Sequence, residues 1–91
     1  ASFYKLKLKN IKFKNCKLIE VDFTETNLTN SIFNNCDLNG AIFDNTLLEK
    51  SDFRTSYNYV INPEINSIKK AKFSLQGLPG LLSKYNIEVE V

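Results

Sequence analysis

The sequence predicts an all-β solenoid, in which a short chain coils around its own axis along four sides. Three observations predict this fold: a five-residue period of large apolar side chains, a second inward-facing set two positions earlier, and a longer period superimposed on both. The 91 residues make at most one small domain. Stacked repeats allow so short a chain to bury its apolar side chains between neighbouring layers.

Large apolar residues occupy every fifth position, and we call each of them a centre. The centres are Phe3, Leu8, Phe13, Leu18, Phe23, Leu28, Phe33, Leu38, Phe43, Leu48 and Phe53. Five residues turn about 500° on an α-helix, so successive centres would share no face there. On a flat strand an odd period sends successive centres to opposite faces. A chain that turns a corner every five residues keeps all of them inside.

Two residues before each centre lies a set of uncharged, mostly small residues, and the alternation of an extended segment points both positions inward. Phe and Leu alternate at the centres, and Cys16 and Cys36 are twenty residues apart. Four sides of five residues therefore form one coil, and residues twenty apart stack at about 4.8 Å. We expect Asn10 and Asn30 to hydrogen-bond between coils through their stacked amides.

The repeat divides the chain into three parts. Residues 1–55 form regular coils, and residues 56–73 form an irregular final coil with a loop near residues 61–66, since Asn58 and Pro63 occupy centre positions. The side chains expected to pack around this loop are Tyr57, Tyr59, Val60 and Ile65. Residues 74–91 form a C-terminal cap, because the last coil of a solenoid otherwise exposes apolar side chains and an unpaired edge.

The cap is predicted to contain a short helix and a short strand. Ser74 is a candidate N-cap, and Ile87, Val89 and Val91 alternate with acidic residues as in a half-buried strand. The apolar residues of the helical segment, several of them at helical spacing, are Leu75, Leu78, Leu81, Leu82 and Tyr85. They either cover the last coil alone or also form a homodimer interface.

Units such as Ser51-Asp52-Phe53 resemble the A(D/N)Lxx pattern of the pentapeptide-repeat family, in register over residues 1–55. The resemblance implies a right-handed quadrilateral β-helix. The stretches IKKAKFSLQGLPGLL and YNIEVEV resemble the ending of quinolone-resistance-type members, in which the C-terminal element caps the helix and often joins two subunits. Those members resemble duplex DNA and bind type II topoisomerases, so the resemblance implies DNA gyrase or topoisomerase IV as a partner.

The charges are unevenly distributed along the chain. The net charge of +2 is too small to indicate a nucleic-acid or membrane partner. The first seventeen residues contain lysines and no acid, whereas acids dominate the middle of the chain. Asp22, Glu25 and Asp44 fall on one side of the coil and form the predicted acidic partner-binding face. We expect a non-catalytic binding protein that imitates DNA; the alternative is a scaffolding module for an unidentified partner.

The sequence lacks the residues expected for catalysis, for metal or cofactor binding and for a membrane span. The sequence contains no His, the commonest general base, so we expect neither an enzyme nor a metal or other cofactor. Cys16 and Cys36 are expected to be reduced core residues, with a disulfide as the alternative. No stretch approaches the roughly 20 apolar residues of a membrane span, and a cytoplasmic location is expected. Phe3 and Leu8 would be exposed at the first coil, so we expect either further coils before Ala1 or packing of that end on another surface.

Overall fold

The computed structural model describes residues 1–90, which form a rod of 36 × 25 × 25 Å. Strand β1 (Lys12–Lys14) pairs in parallel with strand β2 (Ile32–Asn34), and the register joins Phe13 to Phe33. Isolated parallel bridges repeat the same offset of twenty residues elsewhere, as between Asp22 and Ile42. One coil is therefore twenty residues long, and each coil pairs with the next.

Turns after every five residues divide each coil into four sides. The first side comprises residues 1–5, 21–25, 41–45 and 61–65. The second side comprises residues 6–10, 26–30, 46–50 and 66–70. The third side comprises residues 11–15, 31–35, 51–55 and 71–73. The fourth side comprises residues 16–20, 36–40 and 56–60. The equal short dimensions of the rod agree with a square cross-section.

The centres stack inside the rod in columns, as the sequence predicts. The rings of Phe23 and Phe43 lie 5.1 Å apart and 9° from parallel, and those of Phe33 and Phe53 lie 4.7 Å apart and 10° from parallel. Leu28 is fully buried in a leucine column between them. Because each ring contacts the rings above and below, the core is continuous from coil to coil.

The second inward set is small and often polar because its side chains satisfy the backbone of the preceding coil. The hydroxyl of Thr26 donates to the carbonyl of Phe3 at 2.7 Å, and the hydroxyl of Thr46 donates to the carbonyl of Phe23 at the same distance. Such a bond removes the cost of burying a hydroxyl. Cys16 and Cys36 are free thiols, and burial raises the pKa of Cys36.

The second residue after most centres adopts a left-handed backbone conformation, which closes a β-turn. At the first such turn the amide of Leu6 donates to the carbonyl of Phe3 at 3.0 Å, and Lys5 between them has a φ of 60°. Asn and Gly tolerate this conformation better than other residues. The turn residues with positive φ in the regular coils are Lys5, Asn10, Asn15, Glu20, Glu25, Asn30, Asn35, Gly40, Asn45 and Lys50.

The predicted asparagine contacts between coils are confirmed at these turns. The amide of Asn30 donates to Asn10 at 2.6 Å, and the amide of Asn35 donates to Asn15 at 2.8 Å. The left-handed turn explains why asparagine recurs at this position, since the backbone requires a residue that accepts positive φ.

Replacing Glu25 by Asn should stabilise the protein. Glu25 has a φ of 53°, and a left-handed conformation costs an ordinary residue about 1–2 kcal/mol. We expect Glu25→Asn to raise the free energy of unfolding by about 0.5–1 kcal/mol, measured by urea titration. Glu49→Asn is the matched control, because Glu49 lies in a turn directly before the left-handed residue, which there is Lys50. An equal gain in both variants would contradict the explanation.

The coil becomes irregular after Ser56. Asn58 has a φ of 63°, although the repeat would place the left-handed residue two positions later, at residue 60. The backbone after Asn58 therefore leaves the repeat register. Tyr59 and Ile61 then fill the core, with 4% and 1% of their surface exposed. The register returns at Ser67, which bridges to Leu47.

The packing expected around the irregular coil is only partly found. Tyr59 is buried, but Tyr57, Val60 and Ile65 are exposed, so the prediction that they pack around the loop is wrong. Displacement of the left-handed residue to Asn58 turns Tyr59 inward, and its ring takes the core space beside Phe53 at 5.4 Å.

The C-terminal segment differs from the predicted helix and strand. It forms two 3-10 helices, Leu75–Leu81 and Ser83–Tyr85. Ser74 is the N-cap residue, but its side chain makes no capping hydrogen bond. Glycine disfavours a regular α-helix, and Pro79 lacks an amide hydrogen. Residues 87–90 form no strand in the described chain, since their backbone pairs with no neighbouring edge; Val91 lies outside the described residues.

Candidate interaction surfaces

The coil sorts the charged side chains by side. Six of the 10 acids lie on the first and fourth sides with only Lys5 and Lys17, a formal charge of −4. These two adjacent sides are called the acidic half. Its acids are Glu20, Asp22, Glu25, Asp37, Asp44 and Glu64.

The other two adjacent sides, the second and third, are called the basic half. Nine of the 12 Lys and Arg residues lie there with only Glu49 and Asp52, a formal charge of +7. All nine are exposed. They are Lys7, Lys9, Lys12, Lys14, Lys50, Arg54, Lys69, Lys70 and Lys72.

The three acids predicted as a partner-binding face lie on the first side. Glu25 is exposed at its turn, whereas Asp22 and Asp44 are half-buried. The backbone amide of Glu25 donates to the carbonyl of Asp44 at 2.9 Å, so these two residues are neighbours in successive coils. Glu64 continues the same side within the irregular coil, where the amide of Asn45 donates to the carbonyl of Ile65 at 3.1 Å.

Asp22 also stabilises its own turn. Its carboxylate accepts the backbone amide hydrogen of Thr24 at 2.9 Å, and hydrogen bonding to Thr24 lowers the pKa of Asp22. Asp37 and Asp52 accept the amide two residues on in the same way, at 3.1 and 3.0 Å. An Asp or Asn before the centre therefore completes an Asx-turn, and this structural role was not predicted from the sequence.

The C-terminal end carries the most exposed apolar side chains. Leu75 is 80% exposed, and a groove of about 460 Å³ lies between Leu75, Leu78, Leu82 and Val89. Leu81, by contrast, is half-buried and packs against the core of the last coil. The predicted group of five residues therefore separates into an inner residue that covers the core and outer residues that face solvent.

Polar contacts fasten the end of the cap to the irregular coil. The carboxylate of Glu64 accepts hydrogen bonds from the ammonium of Lys84 and, at 2.8 Å, from the hydroxyl of Tyr85. Both hydrogen bonds lower the pKa of Glu64, and the bond from Lys84 has the larger effect. Tyr85 therefore holds one edge of the cap against the irregular coil through its hydroxyl, although the residue is 52% exposed.

Other kinds of site find no basis in the described chain. Within residues 1–90, no group of three His, Cys, Asp or Glu residues could hold a metal ion. None of the helices in this range has the length and apolar character required to cross a membrane.

These features define a class of protein: a coiled repeat rod with charged sides and an apolar end. The family model described as the pentapeptide repeat region matches residues 1–74. The chain belongs to the pentapeptide-repeat family, whose fold is a right-handed β-helix. Among curated proteins no match is found.

The solved structure of HetL has the same fold. HetL, a pentapeptide repeat protein involved in heterocyst differentiation regulation in Nostoc sp. strain PCC 7120, has a TM-score of 0.60 and 16% identity, covering 79% of this chain and 32% of HetL. The plasmid-mediated fluoroquinolone resistance protein QnrB1 has a TM-score of 0.46 and 13% identity, covering 98% of this chain and 45% of QnrB1. The chain thus spans less than half the length of either protein.

A third pentapeptide repeat protein, Rfr23 from the cyanobacterium Cyanothece 51142, is 24% identical. The alignment covers 85% of this chain and 56% of Rfr23, with a TM-score of 0.35. At these identities the likeness to HetL concerns the fold, and the surfaces of this chain have to be interpreted from its own residues.

Proposed function

We propose that this chain is a non-catalytic protein-binding module whose acidic half occupies a basic surface of its partner. The observation that carries the proposal is the concentration of six carboxylates, one of which (Glu64) is paired with Lys84 of the cap, against two lysines on two adjacent sides of a rod. A fixed array of negative charge attracts a surface shaped for nucleic acid and displaces the nucleic acid from it.

The backbone supports this function by holding the carboxylates in fixed positions. Hydrogen bonds between coils fix the turns that carry Glu25 and Asp44. The turn at Glu20 is fixed in the same way, because the amide of Glu20 donates to the carbonyl of Asn39 in the next coil at 2.9 Å. A rigid array loses little conformational entropy when it binds. Hydrogen bonds lower the pKa values of Asp22 and Glu64, which favours the negatively charged form of both carboxyl groups at pH 7.

The partner that we propose is a type II topoisomerase, DNA gyrase or topoisomerase IV. The resemblance of the C-terminal sequence to quinolone-resistance-type members favours it, and the acidic half supplies the charge that a DNA-binding saddle would recognise. The basic half would then face away from the enzyme.

The experiment is a gyrase supercoiling assay with and without a fluoroquinolone. We expect inhibition or drug protection at micromolar protein. The triple variant Glu20→Gln, Glu25→Gln, Asp44→Asn should require at least about tenfold more protein for the same effect, because it removes three charges from the binding surface.

The control is the triple variant Glu49→Gln, Glu88→Gln, Glu90→Gln, which changes the net charge equally outside the acidic half. It should differ from the unmodified protein by less than about threefold, through long-range attraction alone. Absence of any effect on gyrase, or equal losses in the two triples, would remove this function.

The apolar C-terminal end favours a second candidate, a scaffolding module that forms a homodimer end to end. Leu75, Leu78 and Leu82 leave a large apolar area exposed, and water-exposed apolar area of this kind is typical of interaction sites. A second copy meeting it at the same end would give a closed two-fold contact. Sedimentation equilibrium at micromolar to millimolar protein measures whether this dimer forms.

A further inference from the structure

The second and third sides, which form the basic half, join at one corner of the rod. The backbone bonds along this corner run from Asn10 to Thr29 at 3.0 Å, from Asn30 to Glu49 at 2.8 Å, and from Lys50 to Lys69 at 3.0 Å. These residues therefore stack in one column, which we call the basic ridge: residues 9–10, 29–30, 49–50 and 69–70.

Positive charge lies on the ridge and on both of its flanks. Lys9, Lys50, Lys69 and Lys70 are on the ridge itself and are all exposed. The flanking residues are Lys7 on the second side and Lys12, Lys14, Arg54 and Lys72 on the third. Arg54 forms a salt bridge of 2.9 Å with Asp52, so this pair adds no net charge to the flank. The other acid of the basic half, Glu49, lies on the ridge beside Lys50.

We propose that the basic ridge binds the phosphate backbone of duplex nucleic acid without reading its sequence. Net charge concealed this surface, because the +2 of the chain averages two halves of opposite sign. The expectation of no direct nucleic-acid partner rested on that average, and the sorting of charges by side leads us to revise it.

The shape of the ridge favours a duplex over a flat anionic membrane. Exposed lysines lie on the corner itself and on both sides that meet there, so the corner can enter a groove and meet phosphates on both of its walls. From Lys9 to Lys69 the ridge runs three coil spacings along the rod, about 14 Å, so lysines of different coils can reach different phosphates along a groove that is about 12 Å wide. A flat membrane would contact only one flank at a time.

The experiment is fluorescence anisotropy with a labelled 20-base-pair duplex of random sequence. We expect binding at 50 mM salt that weakens at least about 100-fold at 200 mM, because each neutralised phosphate releases a counterion. The triple variant Lys9→Gln, Lys50→Gln, Lys70→Gln should weaken binding at least tenfold and reduce the slope of log affinity against log salt by about 3.

The matched control is Lys5→Gln, Lys17→Gln, Lys84→Gln, which removes the same charge outside the basic half. We expect a change below about threefold and an unchanged salt slope. Circular dichroism melting checks that both triples remain folded. Equal losses in the two triples, no binding at 50 mM salt, or tighter binding to vesicles containing phosphatidylserine than to the duplex would each overturn the proposal. The anisotropy assay contains no topoisomerase, so its outcome does not depend on the function proposed for the acidic half.

Discussion

Phe23→Ala should lower the free energy of unfolding by about 3–5 kcal/mol. Phe23 is fully buried, and its ring lies 5.4 Å from Phe3, 6.1 Å from Phe33 and 5.1 Å from Phe43. Truncation would leave a cavity that the hydrogen-bonded coils cannot close. Because small domains are stable by only about 5–15 kcal/mol, this loss is a large fraction of the total, and urea unfolding followed by circular dichroism measures it.

Two further variants separate the cavity from a general loss of apolar area. Phe23→Leu should cost less than about 2 kcal/mol, since leucine is already a centre on other sides of the coil. Phe3→Ala should cost less than Phe23→Ala, because Phe3 in the first coil is only half-buried. A loss below about 1 kcal/mol for Phe23→Ala would contradict the stacked core.

Gly80→Ala should detach the C-terminal cap from the last coil. A Cβ atom at Gly80 would lie 2.1 Å from the backbone carbonyl oxygen of Tyr59, far inside van der Waals contact. The backbone would have to move, and the bond from the amide of Ile61 to the carbonyl of Gly80, now 3.0 Å, would break. We expect a loss of at least about 2 kcal/mol and faster hydrogen exchange at the Ile61 amide.

Gly40→Ala is the matched control for the same chemical change. Gly40 has a φ of 73°, and an added Cβ would lie 3.0 Å from the flexible Glu20 side chain and at an ordinary contact distance of 3.7 Å from the Glu20 backbone, so the cost should be about 1–2 kcal/mol from backbone strain. Normal hydrogen exchange at the Ile61 amide in Gly80→Ala would disprove the contact between the cap and the last coil.

Gly80→Ala also tests the end-to-end homodimer, which should dissociate when the cap is displaced. A dimer that persists in this variant would place its interface elsewhere.

The centres and their stacking were predictable because a single physical demand, one buried side chain per five-residue side, is repeated along residues 1–53. The asparagine contacts followed from the coil length in the same way. Prediction became unreliable where the repeat ended. Asn58 adopts a left-handed conformation away from the regular position, and no pattern in the sequence marks this shift. The burial of Tyr59 and the exposure of Tyr57 both follow from it.

The C-terminal segment was harder for a related reason. Helical spacing of its leucines indicated a helix, but Gly77, Pro79 and Gly80 favour the tighter 3-10 form, and close approach to Tyr59 selects it. Asp22, Glu25 and Asp44 share a side, as the period of twenty predicts, and their role in binding a partner stays a proposal. The Asx-turn formed by Asp22 and the opposite basic half were missed, because both depend on which groups a folded coil brings side by side.

A coil of four equal sides also determines how length changes would act on this protein. Inserting or removing twenty residues would leave every later residue on its former side. A change of five residues would keep an apolar centre inside but rotate all later side chains by a quarter turn, so lysines of the ridge would move to a neighbouring side. Small insertions can therefore rewrite the surface of such a rod while its interior stays filled.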